Sequence, residues 1–272
     1  MKLEFWGVRG TTPVSGRDKV FVGGSTPCAS LRSAAGDILI VDAGTGIRDL
    51  GEELLREAGD GGIRVHLLLT HFHLDHIIGL PFFRPMYSPR TMITFYSNEP
   101  PAETEKKLGG LMGGRYFPVD LKDTAARKEF IQVPANPFAV GAVRVSYCPL
   151  IHPQGSIAYK FGEKGKSLVF ATDTENPENG IDEQLAAFAW GANGLIYDAM
   201  FTPEEYLAGK RGWGHSTWLE GTRIAAAAAV RWLFLSHWNP DGTDRQIKEM
   251  IRQAGARFPR TIGARRGLKK VF

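Results

Sequence analysis

The sequence predicts an α/β fold, with strands packed into sheets and helices on their outer faces. Three observations carry that expectation. Short apolar runs recur along the chain, several closed by Gly, Asp or Pro, and they have the length of buried strands. Helical patterns are interleaved with them and concentrate towards the C-terminal end. The 272-residue chain, 43% hydrophobic and 23% charged, is large enough to bury a core without covalent staples.

In chain order, the strand-like runs fall at residues 3–6, 38–41, 65–69, 92–96, 143–148, 157–161, 168–171, 195–197 and 232–235. The helix-like segments fall at 46–58, 103–108, 181–188, 217–230 and 244–254. The fourth opens on Thr217-Trp-Leu-Glu220, the pattern of a capping box, before an alanine-rich run. Pro100-Pro101 and the glycine-rich stretch 109–114 read as an insertion or lid rather than a boundary. The expectation is one domain spanning 1–272.

Composition narrows the class. A net charge of +4 is a mild basic bias that favours an anionic substrate and is too small to require nucleic acid. The basic cluster at 260–270 reads as a solvated tail. Cys28 and Cys148 lie far apart, which excludes a cysteine-built zinc site and makes reduced thiols in the cytoplasm the default. The first ten residues lack the apolar core of a signal peptide, and no run approaches a membrane span.

The chemistry is concentrated in His71-Phe-His73-Leu-Asp75-His76, directly after the apolar run Val65-His-Leu-Leu-Leu-Thr70. Side chains two apart on an extended segment share a side, so His71 and His73 can converge on one ion. Asp75 and His76 continue into a turn and can face a second. Imidazole with carboxylate suits zinc, and also iron or manganese. Two ions about 4 Å apart can activate water and clamp an in-line displacement. A lone histidine is usually structural, but this spacing of ligand-type side chains rarely arises by accident.

The pattern H-x-H-x-D-H after an apolar strand resembles the metallo-β-lactamase-fold hydrolases. The resemblance runs over nearly the whole chain: Val41-Asp42-Ala-Gly-Thr-Gly46, Leu150-Ile-His152-Pro, Phe170-Ala-Thr-Asp173-Thr and Leu233-Phe-Leu-Ser-His237-Trp follow in the superfamily's order. It implies a four-layer αββα sandwich with two divalent metal ions, zinc first, at one edge of the sheets. His71, His73 and His152 would hold one ion and Asp75, His76 and His237 the second. Asp173 would bridge the two ions and Asp42 would orient a ligand. Asp75 would also belong to the catalytic set.

Leu195-Ile-Tyr-Asp198-Ala-Met-Phe201 followed by Gly214-His215-Ser-Thr217 is similar to the ribonuclease Z-like phosphodiesterases. There an acidic residue and a histidine form a dyad near the scissile phosphate, and Asp198 and His215 match those positions. The carboxylate would orient the imidazole so that it protonates a leaving alkoxide. Two departures matter. Only residues 153–172 separate His152 from Asp173, leaving no room for the arm with which ribonuclease Z grips transfer RNA. Cys28 stands alone, so the extra cysteine-rich zinc site of the carbon–phosphorus-pathway phosphodiesterases is missing. The segments Gly7-Val-Arg-Gly-Thr-Thr-Pro-Val-Ser-Gly16 and Gly23-Gly-Ser-Thr-Pro-Cys28 resemble bacterial members often linked to cyclic nucleotide hydrolysis.

The expected function is therefore a metal-dependent phosphodiesterase hydrolysing a small anionic phosphodiester, such as a cyclic nucleotide. A nuclease on single-stranded RNA or DNA and a thioester or lactone hydrolase are the alternatives. Oxygen chemistry of the flavodiiron type is disfavoured by His73, which stands where those proteins carry glutamate. The chain is expected in the cytoplasm, away from membranes, with a homodimer left open. Trp213 and segment 115–118 are candidates for base stacking or a lid, and His66 is read as structural.

Overall fold

Two seven-stranded sheets face each other, with helices on both outer sides. The computed structural model describes every residue except Arg115. The first half of the chain contributes β1 (Lys2–Gly7), β2 (Cys28–Arg32), β3 (Ile38–Val41), α1 (Ile47–Ala58), β4 (Ile63–Leu68), α2 (Leu74–Ile77), β5 (Thr91–Ser97), α3 (Pro101–Leu111) and β6 (Arg127–Gln132). The second contributes β7 (Phe138–Val140), β8 (Val143–Leu150), β9 (Ser156–Glu163), β10 (Lys166–Ala171), α4 (Glu183–Ala189), β11 (Gly194–Asp198), α5 (Pro203–Leu207), α6 (Trp218–Ala227), β12 (Leu233–Ser236), α7 (Asp244–Arg257), β13 (Thr261–Gly263) and β14 (Lys269–Val271). The sheet orders are β14-β1-β2-β3-β4-β5-β6 and β13-β12-β11-β10-β9-β8-β7. This is the four-layer arrangement that the resemblance implied.

Strand alternation divides the apolar side chains between two cores. On β3, Leu39 and Val41 join the large core that includes the strands of the second sheet, whereas Ile40 joins the one under α1. On β4, Leu68 goes inward and Val65 and Leu67 outward. Helix α1 meets that outer face with Ile47, Leu50, Gly51 and Leu54, a single stripe at helical spacing. His66 is half-buried on β4, its ring 6.0 Å from that of Tyr96.

Several expectations need correction. The alanine-rich helix stops at Ala227, not at 230, because Ala229 turns into the left-handed region (φ 49°). Val230 N then donates to Ala225 O and Ala229 N to Ala226 O, the pair of bonds that closes a Schellman turn. Only half of the expected capping box forms: Thr217 accepts from Glu220 N, but the Glu220 carboxylate bonds Arg223 instead. Gly109 and Gly110 belong to the last turn of α3, with Pro101 at its start, so the stretch 109–114 is a helix end followed by a turn. Of segment 115–118, Arg115 lies outside the described residues.

The basic cluster is not a free tail. It forms the edge strands β13 and β14, one on each sheet. Lys269 pairs with Glu4 at 2.9 Å, Arg266 with Asp49 at 2.6 Å, and Lys270 lies 3.9 Å from the centre of the Trp232 ring. Charged side chains on short edge strands are a usual protection against further pairing. Among the described residues no helix is long and apolar enough to cross a membrane.

Candidate metal and catalytic centre

The loops that leave β3, β4, β8, β10 and β12, the end of β11 and the loop before α6 meet at one edge of the sandwich. They bring together all of the residues expected there. Potential ligand atoms of His71, His73 and His152 lie within 4.8 Å of one another, as do those of Asp75, His76 and His237, and those of His71, His76 and Asp173. Backbone strain is concentrated here. Thr11, Asp42, Gln154, Asp173 and His237 all have φ between 57° and 66°, where side chains other than glycine are rare. Each such seat costs about 1–3 kcal/mol and persists only when surrounding bonds hold it.

The outer nitrogens of four histidines are held by hydrogen bonds. His76 Nδ1–H donates to Asp42 at 2.8 Å, and His152 Nδ1–H to the Gly214 carbonyl at 2.7 Å. His73 Nε2–H donates to Gln154 Oε1 at 2.9 Å. Thr70 Oγ1 spends its single proton on Asp42, so it accepts from His71 Nδ1 at 3.0 Å. The inner nitrogens of His71, His73 and His152 are then lone-pair acceptors facing each other. His73 Nδ1 and His152 Nε2 are 3.1 Å apart, and His71 Nε2 and Asp173 Oδ2 are buried with no hydrogen-bond partner. Lone pairs collected this closely repel unless a cation sits among them, so the donor set fits divalent metal.

Charge follows the same layout. Burial and the neighbouring imidazoles push His71 well below its ordinary pKa and lower that of His152. Burial opposes charge on His76 too, but Asp173, Asp75 and Asp42 overcome it and raise its pKa. Asp75 and Asp173 are held well below the usual carboxylate range, because the surrounding histidines outweigh the effect of burial.

Asp198 has no oxygen to spare. Its Oδ1 accepts from Met200 N and Ser216 N, and its Oδ2 from Asp173 N and His215 Nδ1, the last at 3.0 Å. It is thus committed to holding His215. Burial works against a charged His215, yet Asp198, with Asp173 and Asp75 behind it, pushes the imidazole up to about 9.

A β-lactamase superfamily domain profile matches residues 38–238 of this chain. This chain belongs to the metallo-β-lactamase superfamily. An uncharacterised protein from Mycobacterium leprae is 30% identical over 257 residues, covering 89% of this chain and 81% of that protein. A ribonuclease Z from a Bradyrhizobium species is 26% identical over 282 residues, covering 85% and 89%. A solved structure described as a new diphosphatase from the PhnP family superposes with a TM-score of 0.71 at 22% identity, covering 100% of this chain and 97% of that one.

Membership makes the chain a superfamily hydrolase of a metal-binding fold. A cleft of about 440 Å³ opens against the cluster, lined by His73, Asp75, Asp173, Trp213, His215 and Asn239 among others. That is the size of a small-molecule site.

Several supporting residues escaped the sequence reading. Buried Arg9 donates to the carbonyls of Gly23, Asn239 and Gly242, pinning the N-terminal loop so that Thr11 N donates to Asp75 at 2.7 Å. Thr70 and Gln154 hold His71 and His73 from outside. Glu175 accepts from Tyr206 OH, Gly212 N and Gly214 N. Resemblance drew attention to the segment around Arg9, but no local pattern marks Glu175 or Gln154.

Proposed function

We propose that this chain is a two-metal phosphodiesterase acting on a small phosphodiester, with cyclic nucleotides in the class. In this reading His71, His73 and His152 would hold one ion, Asp75, His76 and His237 the other, and Asp173 both. Zinc suits this imidazole-rich set, with manganese or iron as alternatives. When bound, the ions activate water and neutralise phosphate charge.

The observation that carries the reading is the Asp198–His215 pair beside the cluster. Asp198 fixes the imidazole through Nδ1 at 3.0 Å, and His215 lines the cleft. A proton donor placed there matches the need of a poor alkoxide leaving group, which a thioester, with its thiolate, lacks. The size of the cleft supports a small substrate. So does the stretch between His152 and Asp173, which is taken up by strands β9 and β10 and the tight turn between them, with no projecting arm. The names of its relatives, ribonuclease Z and a diphosphatase, both concern phosphate chemistry.

The test is kcat/KM over a panel: cyclic nucleotides, bis(p-nitrophenyl) phosphate, precursor transfer RNA, single-stranded oligonucleotides and a lactone. The reading expects turnover of the small diesters and poor processing of RNA. Efficient trimming of RNA without turnover of small diesters would replace it with the nuclease reading.

A further inference from the structure

Glu175 is a carboxylate with 6% of its surface exposed, two residues beyond Asp173. It ties three loops together. Its backbone N donates to Ile151 O at 2.7 Å, next to His152. Its Oε1 accepts from Tyr206 OH at 2.7 Å and Gly212 N at 2.6 Å, and its Oε2 accepts from Gly214 N at 2.8 Å. Gly214 in turn accepts from His152 Nδ1–H through its carbonyl and leads directly into His215. A single buried side chain therefore stands behind a proposed metal ligand, the Asp198–His215 pair and the cleft wall.

The segment it grips is rich in glycine. Gly209, Gly212 and Gly214 take φ of 121°, 82° and 80°, conformations open to glycine and strained for other residues. Between them lie Lys210 and Trp213, which both line the cleft. Lys210 Nζ is 3.7 Å from the centre of the Trp213 ring, and more than half of Trp213 is exposed. Gly209 N and Lys210 N donate to Tyr206 O and Trp213 N donates to Lys210 O, which shapes the loop locally. Its ties to the buried side of the site are the His152 bond to Gly214 O and the three donors bound to Glu175.

We propose that Glu175 is a positioning residue: it latches the 209–214 loop so that Lys210 and Trp213 form the substrate-selecting wall and His215 stays in register with the scissile group. The substrate part of this rests on the phosphodiesterase reading; the latch itself does not.

The variants are Glu175→Gln, Glu175→Ala and Tyr206→Phe in the full metal-loaded chain, with Trp213→Phe counterparts to isolate the Trp213 signal. Glutamine keeps the shape of the side chain but cannot accept from both Gly212 and Gly214, because one of its ends donates. Amide exchange at residues 212–215 should rise by about tenfold in Glu175→Gln, and acrylamide quenching of Trp213 should rise with it, while exchange in β4 and β10 stays protected. Hydrolysis of an unactivated alkyl diester should fall by about 10²-fold, and that of bis(p-nitrophenyl) phosphate by less, since the latter needs no proton from His215. Tyr206→Phe should give a weaker form of the same pattern. Unchanged loop exchange and quenching in Glu175→Gln and Glu175→Ala would overturn the latch, as would a uniform rise across the sheets, which marks a merely structural residue. A loosened loop in a chain that cleaves no phosphodiester would leave the latch standing and remove the functional reading instead.

Discussion

Asp42 accepts a hydrogen bond from His76 at 2.8 Å with both side chains fully buried, and it does so from a backbone seat at φ 62°. The same carboxylate bonds Thr70 through the backbone N and the hydroxyl. Asp42 thereby sets two histidines, His76 directly and His71 through Thr70. Asparagine tolerates the left-handed seat, so Asp42→Asn isolates the loss of charge. Metal affinity should fall about 10–100-fold with the fold retained, measured by competition with a chromophoric chelator. Unchanged affinity would show that the two histidines need no such support.

Gly10 packs so closely on the cluster that a Cβ there would lie 2.5 Å from His237 Cε1. Its own backbone is not in the left-handed region, so Gly10→Ala tests sterics alone. Crowding of this kind costs about 1–3 kcal/mol. Placed on His237, it should weaken binding at the Asp75–His76–His237 group roughly 5- to 150-fold, at about 1.4 kcal/mol per tenfold. Calorimetric metal titration reads this as a selective loss of one binding event.

His215→Ala should keep both metals and the fold yet lose about 10²–10⁴-fold in kcat on an alkyl diester. KM should change less, because the proton is needed in the transition state. The loss should shrink on bis(p-nitrophenyl) phosphate, which needs no proton from His215. Loss of a metal from His215→Ala would make this residue a ligand instead of a proton donor.

Metal should also stabilise the folded chain, since the converging lone pairs repel without it. Ligand at 1,000 times its Kd adds about 4 kcal/mol. For a chain of this size that is a rise in Tm of roughly 7 °C. Differential scanning calorimetry of metal-depleted and zinc-loaded protein measures it. An unchanged Tm would contradict metal binding by the folded chain.

Much of this centre was legible because its residues sit at the ends of strands that announce themselves. His71, His73, Asp75 and His76 are contiguous, and Asp42, His152, Asp173 and His237 each follow an apolar run. What stayed hidden has weak local signals. β7, β13 and β14 are three-residue strands that exist only through their partners, and β6, with its sequence RKEFIQ, is an exposed edge. β2 is central, yet its sequence CASLR carries few large apolar side chains. Glu175 is invisible for another reason: its side-chain partners are 31–39 positions away, and only the closed fold brings them to it. The basic cluster is solvated, as charge runs usually are, but its backbone pairs at the edges of both sheets and Glu4 and Asp49 meet two of its charges, which no local pattern marks.

The measurement that bears most directly on the account is a stepwise metal titration of the depleted chain, following bound zinc by elemental analysis and hydrolysis of a small phosphodiester in parallel. The account predicts about two ions per chain, with activity appearing as the second binds, and weakened binding of both in Asp173→Ala. Full activity in exhaustively chelated protein, or an Asp173→Ala chain that still binds two ions with unchanged affinity, would contradict it.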